Sequence, residues 1–463
     1  MKKHDNCECA RGGSFPLHGD GFSRRRFMRL AGTGLVASYF APVLNARLLQ
    51  DAKSVKPSLR NSAKNCILIF LSGAPSHVDT WDLKEGAWTP SVFNPTSYGA
   101  IRFPQGLMPN TAGHLDKVCI VRSGLAWAAV HPLAQAWVQI SRNPSGVTGS
   151  ISPHIGAVVA LESQLNRKPG DVLPAFVSIN QLMAGSGYLP ARYAPFPVTP
   201  SQDGLPTLTH PDGVARFTDR WNLIQKIDDD RATGSLGRNA SDMSTFYDQA
   251  KELYDTPGLA KTFSYTNEEF ARYGGTDFGG SLVVARNLIG AQRGTRFVQV
   301  TLSGWDNHSN IYALNAGIFK PMKSFDPGFG ALLTDLAASP GTTTGKTLLD
   351  ETLIVVIGEF GRTVGALNTQ AGRDHFQRMS IAFAGGGVRG GRVIGATDST
   401  GANATEFGNL GRDTRPEDVA STIYSALGID YTTVRHDDPL GRGFEYVPLA
   451  KDGTYGPIEE VFG

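Results

Sequence analysis

The stretch Thr347–Thr363 reads TLLDETLIVVIGEFGRT, and it decides the fold. Leu353–Ile357 is a short, unbroken apolar run, as in a strand of a parallel sheet covered on both faces. The run stops at Gly358 and gives way to Glu359, Phe360, Gly361 and Arg362. A carboxylate and a guanidinium therefore stand at the mouth of a buried strand. Burying either one alone is costly. Either the two pair with each other, or the place holds something charged.

The same apolar punctuation recurs on both sides of this stretch. CILIFL (66–71), KVCIVRS (117–123), AFVSI (175–179), RFVQVTL (296–302) and SIAFAGG (380–386) read as strands. HPLAQAWVQIS (131–141), PHIGAVVALESQL (153–165), SLVVARNLIGAQ (281–292), KSFDPGFGALLTDLAA (323–338) and RPEDVASTIYSALG (415–428) read as helices. Pro132 suits a first turn, and Pro416, Asp418 and Gly428 mark a helix start and stop. Strands alternating with helices predict an α/β fold with a mostly parallel central sheet. Residues 183–275 depart from this rhythm. They open on GSGYLPARYAPFPV, then become charged and helical through GVARFTDRWNLIQKI and STFYDQAKELYD, and read as a helical insertion. No internal repeat is visible.

Parallel sheets bind ligands beyond the carboxyl ends of their strands, and the polar clusters of this chain fall there. CILIFL is followed by SGAPSHVDTWD, with His77, Asp79 and Asp82. KVCIVRS is followed by GLAWAAVHPLAQ, with His131 at a helix start. RFVQVTL is followed by SGWDNHSN, with Asp306 and His308. TLIVVI leads to Glu359 and Arg362, and GRDHF, with Arg373, Asp374 and His375, precedes SIAFAGG. Carboxylates and imidazoles gathered from several strand ends suit a divalent cation such as zinc, manganese, calcium or iron. Arginines beside them suit a tetrahedral oxyanion. Each cluster also has a plainer reading. SGWDNHSN suits a turn, Asp82 a cap, Glu359 with Arg362 a structural ion pair, and His131 an ordinary helix start. It is their shared position that points to a site.

A net charge of +2 over 463 residues gives no electrostatic footprint for nucleic acid. SRRRFMRLAGTGLVASYFAPVLNA, from Ser23 to Ala46, resembles a twin-arginine export signal, with Arg24 and Arg25, Phe27, Met28 and a weakly apolar run from Leu30 to Phe40. That run is far shorter than the roughly 20 residues of a membrane span, so no stable span is expected. The expected division is a signal at 1–46, a linker at 47–62 and one domain at 63–463, working in the periplasm or outside the cell after passage through the twin-arginine translocase. An uncleaved amphipathic anchor is the alternative for the first segment. Cys7 and Cys9 fall in the signal, while Cys66 and Cys119 lie in strand-like runs. There they either pair in an oxidising compartment or serve as small buried residues.

The ordered set LSGAPSHVDTWD, FVQVTLSGWDNHSN, TLIVVIGEFGRT, GRDHF and AGGGVRGGRVIGATD resembles the family catalogued as domain of unknown function 1501. That family is placed in the alkaline phosphatase and sulfatase superfamily. The resemblance spans roughly residues 60–445 and implies a three-layer αβα sandwich, alkaline phosphatase-like. It implies metal ligands at Asp306, His308, Glu359 and His375, with Asp374 beside His375. The superfamily's first metal-binding Asp follows its first strand directly, whereas Asp79 and Asp82 come several residues later; if metal binds, His77, Asp79 and His131 supply part of a second set. MPNTAGHLDKVCIVRS looks like the stretch before the superfamily's nucleophile. Here it leads to AAVHPLAQ, which has His131 and no hydroxyl, and Phe360 stands where the superfamily carries a further ligand.

The expected activity is metal-dependent hydrolysis of a phosphate or sulfate ester. Water or His131 would attack, and Arg362 or Arg373 would stabilise charge. The partner is then a small anionic ester or a sulfated or phosphorylated glycan. The alternative is a non-catalytic binding or assembly protein on the same scaffold, with GYLPARYAPF as a binding face. A redox enzyme lacks support. There is no cysteine cluster, and GGGVRGG (385–391) lacks the helix that a dinucleotide loop opens.

Overall fold

The computed structural model describes residue 57 and residues 59–463, apart from 181–183, 206–211, 228–236 and 257. The twin-arginine segment, Cys7, Cys9 and most of the 47–62 linker lie outside the described residues.

The strands of the main sheet are β1 (Asn65–Ser72), β2 (Val118–Leu125), β3 (Phe176–Ile179), β4 (Phe196–Val198), β5 (Phe297–Ser303), β6 (Thr352–Gly358), β7 (Arg378–Ala384) and β8 (Arg392–Ile394). Their order across the sheet is β8-β2-β7-β6-β1-β5-β3-β4. The apolar runs lie inside: every residue of β1, β6 and β7 is buried. Alternate side chains of β1 serve two separate cores. Ile67, Ile69 and Leu71 face one, and Cys66, Leu68 and Phe70 face the other.

Helices cover both faces. On the first lie α6 (Asp277–Gly290) and α7 (Phe319–Ala338), through Leu282, Leu288, Phe329 and Leu333. On the second lie α1 (His131–Ile140), α2 (Ile155–Ser163) and α8 (Pro416–Ala426), through Val138, Val158 and Ile423. The architecture is the three-layer αβα sandwich. Within 183–275 the chain forms α3 (Gly213–Ile227), α4 (Arg238–Asp255) and α5 (Asn267–Arg272), and also contributes β4 at the sheet edge. Among the described residues no helix is long and apolar enough to cross a membrane.

One strand runs against the rest. β7 pairs antiparallel with both β2 and β6, while β1 is parallel to β5 and β6. The cause is local. After β6 the chain makes a small ribbon, Gly361–Arg362 against His375–Phe376, and turns straight back into β7. No helix carries it to the other end of the sheet, as a parallel return would need.

Cys66 and Cys119 are buried and free. They sit on β1 and β2, with β6 and β7 between them. Three strand spacings are about 14 Å, well beyond the Cα separation of a disulfide.

Candidate metal centre

The sheet order sets the site. β6, β1 and β5 are neighbours and parallel, so their carboxyl ends present Glu359, Gly73 and Asp306 along one edge. Antiparallel β7 starts at that same edge, which places His375 there, and the ribbon sets His375 directly opposite Arg362. The loop after β2 delivers His131 as the first residue of α1.

Asp306 Oδ1 is the hub. It lies 3.3 Å from His131 Nε2, 3.1 Å from His308 Nε2 and 3.6 Å from His375 Nε2. His308 Nε2 and His375 Nε2 are 3.0 Å apart. The other nitrogen of each ring is already taken. His131 Nδ1 meets Glu359 Oε1 at 2.6 Å, His308 Nδ1 meets Asp374 Oδ1 at 2.7 Å, and His375 Nδ1 meets the Ala129 carbonyl at 2.9 Å. These three partners are acceptors, so the proton of each neutral ring belongs on Nδ1 and the lone pair on Nε2. The carboxylate or carbonyl behind each imidazole is the arrangement that orients histidine ligands to a metal.

Three lone pairs thus face one carboxylate oxygen. His131 Nε2 is buried and has no hydrogen-bond partner, because the oxygen nearest to it is another acceptor. The Nε2 atoms of His308 and His375, 3.0 Å apart, both carry lone pairs in this tautomer and repel unless a proton or a cation lies between them. A tetrahedral shell with bonds of about 2.0–2.1 Å spaces its donors roughly 3.3–3.4 Å apart. The separations from Asp306 Oδ1 and between His308 and His375, 3.0–3.6 Å, bracket that value, and His131, Asp306 and His375 each offer a ligand atom within 4.8 Å of the other two. The donor set fits a divalent cation.

The surrounding charges agree in part. Glu359 raises the pKa of His131 against the effect of burial. Burial lowers that of His375, and the Ala129 hydrogen bond only partly opposes it. Burial alone would raise Asp306, but the hydrogen bond and charge of Arg362, with His131 and His308, hold the carboxyl below its usual value.

Glu359 is fully buried. Its Oε1 accepts from His131, from Gly73 N at 2.9 Å and from Gln135 Nε2 at 3.0 Å, while Oε2 has no partner. It stands behind His131 and not among the Nε2 atoms, and Asp374 stands likewise behind His308. Arg362 is also fully buried. It does not pair with Glu359. It donates to Asp306 Oδ1 at 2.6 Å, to the carbonyls of Gly73, Ala74 and Arg373, and towards His308 Nε2 at 3.4 Å. Gly73 makes this crossing possible. Its φ of +110° suits glycine, and a Cβ there would come within 2.7 Å of Asp306 N.

His77 and Asp79 lie apart from this cluster, and His131 is not with them. Asp79 accepts from Ser76 Oγ, Tyr312 OH and Arg373 Nε at 2.6, 2.6 and 2.7 Å. The remaining N–H groups of Arg373 reach the carbonyls of Thr363 and Gly365, Asp79 and Tyr312. His77 bonds the Gly401 carbonyl and stacks on Phe376, and burial lowers its pKa to about 4. Asp82 is buried with Arg122, Lys84 and Thr397.

Gln135, Tyr312 and the Ala129 carbonyl were not among the residues that the sequence singled out. Only Gln135 had a local signal, since it follows His131 by one turn on α1. Phe360 packs its ring 4.8 Å from those of both His131 and His375, forming an apolar wall.

The family model described as "Protein of unknown function (DUF1501)" matches residues 63–448. The chain belongs to that family. No curated protein matches the sequence. Among solved structures it is similar to the lipoteichoic acid synthase LtaP from Listeria monocytogenes, at 11% identity and a TM-score of 0.37, over 87% of this chain and 81% of that one. It is similar to Ps i-CgsB in complex with k-i-k-neocarrahexaose, at 12% identity and a TM-score of 0.40, over 85% and 77%. It is similar to a protein in the alkaline phosphatase superfamily from Vibrio parahaemolyticus, at 12% identity and a TM-score of 0.33, over 81% and 68%. At such scores the likenesses say nothing about the site.

Proposed function

We propose that the chain is an exported, metal-dependent hydrolase of phosphate or sulfate esters, built on one metal centre. The observation that carries this reading is the convergence of His131, His308 and His375 Nε2 on Asp306 Oδ1, each ring with its Nδ1 held from behind. These four residues would hold the cation. Three imidazoles and one carboxylate suit zinc or iron better than calcium, which takes mainly oxygen. A bound cation of this kind supplies Lewis-acid polarisation of an ester oxygen and acidifies water.

The chain's own residues do the rest. Glu359 and Asp374 fix the tautomers of His131 and His308. Arg362 holds Asp306 in place and keeps it ionised. Phe360 excludes water from one side. Export through the twin-arginine translocase is supported by the Ser23–Ala46 segment, and places the activity in the periplasm or outside the cell. Substrates are small anionic esters or sulfated or phosphorylated glycans.

A second reading, a non-catalytic binding protein on the same scaffold, is favoured by one observation. The N–H groups of Arg362 and Arg373 are engaged with protein acceptors, so neither guanidinium presents a free fork to an anion. The test is turnover of p-nitrophenyl phosphate, bis(p-nitrophenyl) phosphate and p-nitrophenyl sulfate by zinc- and iron-loaded protein. Turnover that Asp306→Ala abolishes supports the hydrolase. Folded, loaded protein inert on all three esters contradicts it and leaves the binding protein.

A further inference from the structure

The loop from Ala126 to Val130 carries no imidazole, yet two of the three histidines depend on it. It ends at His131, and its Ala129 carbonyl accepts from His375 Nδ1 at 2.9 Å. The loop is held from outside the site. Trp127 Nε1 donates to both carboxylate oxygens of Glu417, at 3.1 and 3.0 Å. Trp137, on α1, donates to Glu417 Oε1 at 2.8 Å. The two indoles flank His131 in the chain and stack with their centroids 5.9 Å apart. The Arg415 guanidinium lies 3.8 Å over the Trp127 ring and donates to the carbonyls of Leu125 and Ala126.

Glu417 is 4% exposed, in the first turn of α8. A buried carboxylate is an expensive way to pack two indoles, and apolar side chains do that as well or better. What the carboxylate adds is direction: each indole N–H must point at it, which fixes the segment on both sides of His131.

We propose that Glu417 is a positioning residue of the metal centre, setting His131 Nε2 and the Ala129 carbonyl by fixing Trp127 and Trp137, and so setting the affinity and geometry of the site for its cation. This rests on the reading of the metal centre above. Glutamine replaces Glu417 only poorly: with its oxygen in the Oε1 place it accepts from both indoles, but its amide nitrogen then faces Trp127 Nε1, donor against donor.

The experiment titrates Co2+ into the full chain, wild type, Glu417→Gln and Trp127→Phe, and follows the d–d absorption of the bound ion. Glu417→Gln is expected to bind about tenfold to a hundredfold more weakly, with a changed d–d spectrum at saturation. Trp127→Phe, which keeps the ring stack but loses the N–H, shifts the same way by less. A purely structural role would lower the melting temperature and leave the spectrum of the saturated, folded protein as in the wild type. Folded variants with wild-type affinity and spectrum overturn the proposal. If Glu417→Gln does not fold, Trp127→Phe decides, and unchanged affinity and spectrum there overturn it. A folded wild type that shows no Co2+ absorption overturns the metal centre itself, a different failure from variants that match a binding wild type.

Discussion

His131 Nδ1 lies 2.6 Å from Glu359 Oε1, and this contact joins the helix that follows β2 to the buried end of β6. It fixes the tautomer of His131, so the other nitrogen must present a lone pair towards Asp306. Glu359→Gln keeps the shape and removes the charge. The variant is expected to fold, because the amide oxygen still accepts from Gly73, Gln135 and His131. It is expected to bind Zn2+ about tenfold or more weakly than the wild type, by calorimetric titration. Wild-type affinity would place Glu359 outside the working of the site.

Arg362 is expected to report as a structural residue. Arg362→Ala strips the carbonyls of Gly73, Ala74 and Arg373 of this donor and takes from Asp306 its guanidinium partner. Leaving such acceptors without a donor costs about 1–3 kcal/mol, and Asp306, whose side chain is 48% exposed, adds little to this. Urea unfolding should show that loss, with metal binding weakened in whatever remains folded. An arginine that served the substrate alone would behave otherwise, raising KM and leaving the unfolding midpoint in place.

Acid sensitivity follows from two buried imidazoles outside the cluster. Burial lowers the pKa of His77 to about 4 and that of His154 to about 3, from 6.5. Below about pH 6.5 the unfolded chain binds protons that the folded chain refuses. The stability from these groups is therefore full above that pH and is lost as the pH falls towards the folded values. Each contributes a slope of about 1.4 kcal/mol per pH unit. His154 Nδ1 accepts from Gly156 N at the start of α2, and its Nε2 meets Gln299 Oε1 at 2.7 Å. His154→Asn is expected to be less stable at neutral pH and to flatten the acid limb by one proton. Urea melts at several pH values check this, and an unchanged acid slope would contradict it.

The strands were legible because continuous apolar runs such as CILIFL and LIVVI have few other uses in a chain of alternating elements. The direction of β7 was not, because SIAFA reads alike in either sense and only the short ribbon from Gly361 to Phe376 turns it round. The site residues were visible one by one at strand ends. The resemblance grouped Asp306, His308 and His375, but it set His131 apart and Glu359 among the ligands, because the full grouping depends on which strands become neighbours. Glu359, Asp306 and Gly73 meet through the order β6-β1-β5, and His131 joins them through a loop pinned by α8, far away in sequence. Which nitrogen of each imidazole faces inward is a property of Glu359, Asp374 and the Ala129 carbonyl. A backbone carbonyl has no signature in sequence, and a carboxylate behind a histidine looks the same as one beside it.

The most direct measurement is elemental analysis of the folded, full-length protein, beside a variant with Asp306 and His308 both replaced by Ala. The wild type is expected to carry about one equivalent of zinc or iron, and the variant to lose it with the fold retained. A folded wild type that carries no metal as purified, and takes up none on dialysis against either ion, would contradict the metal centre and the hydrolase built on it.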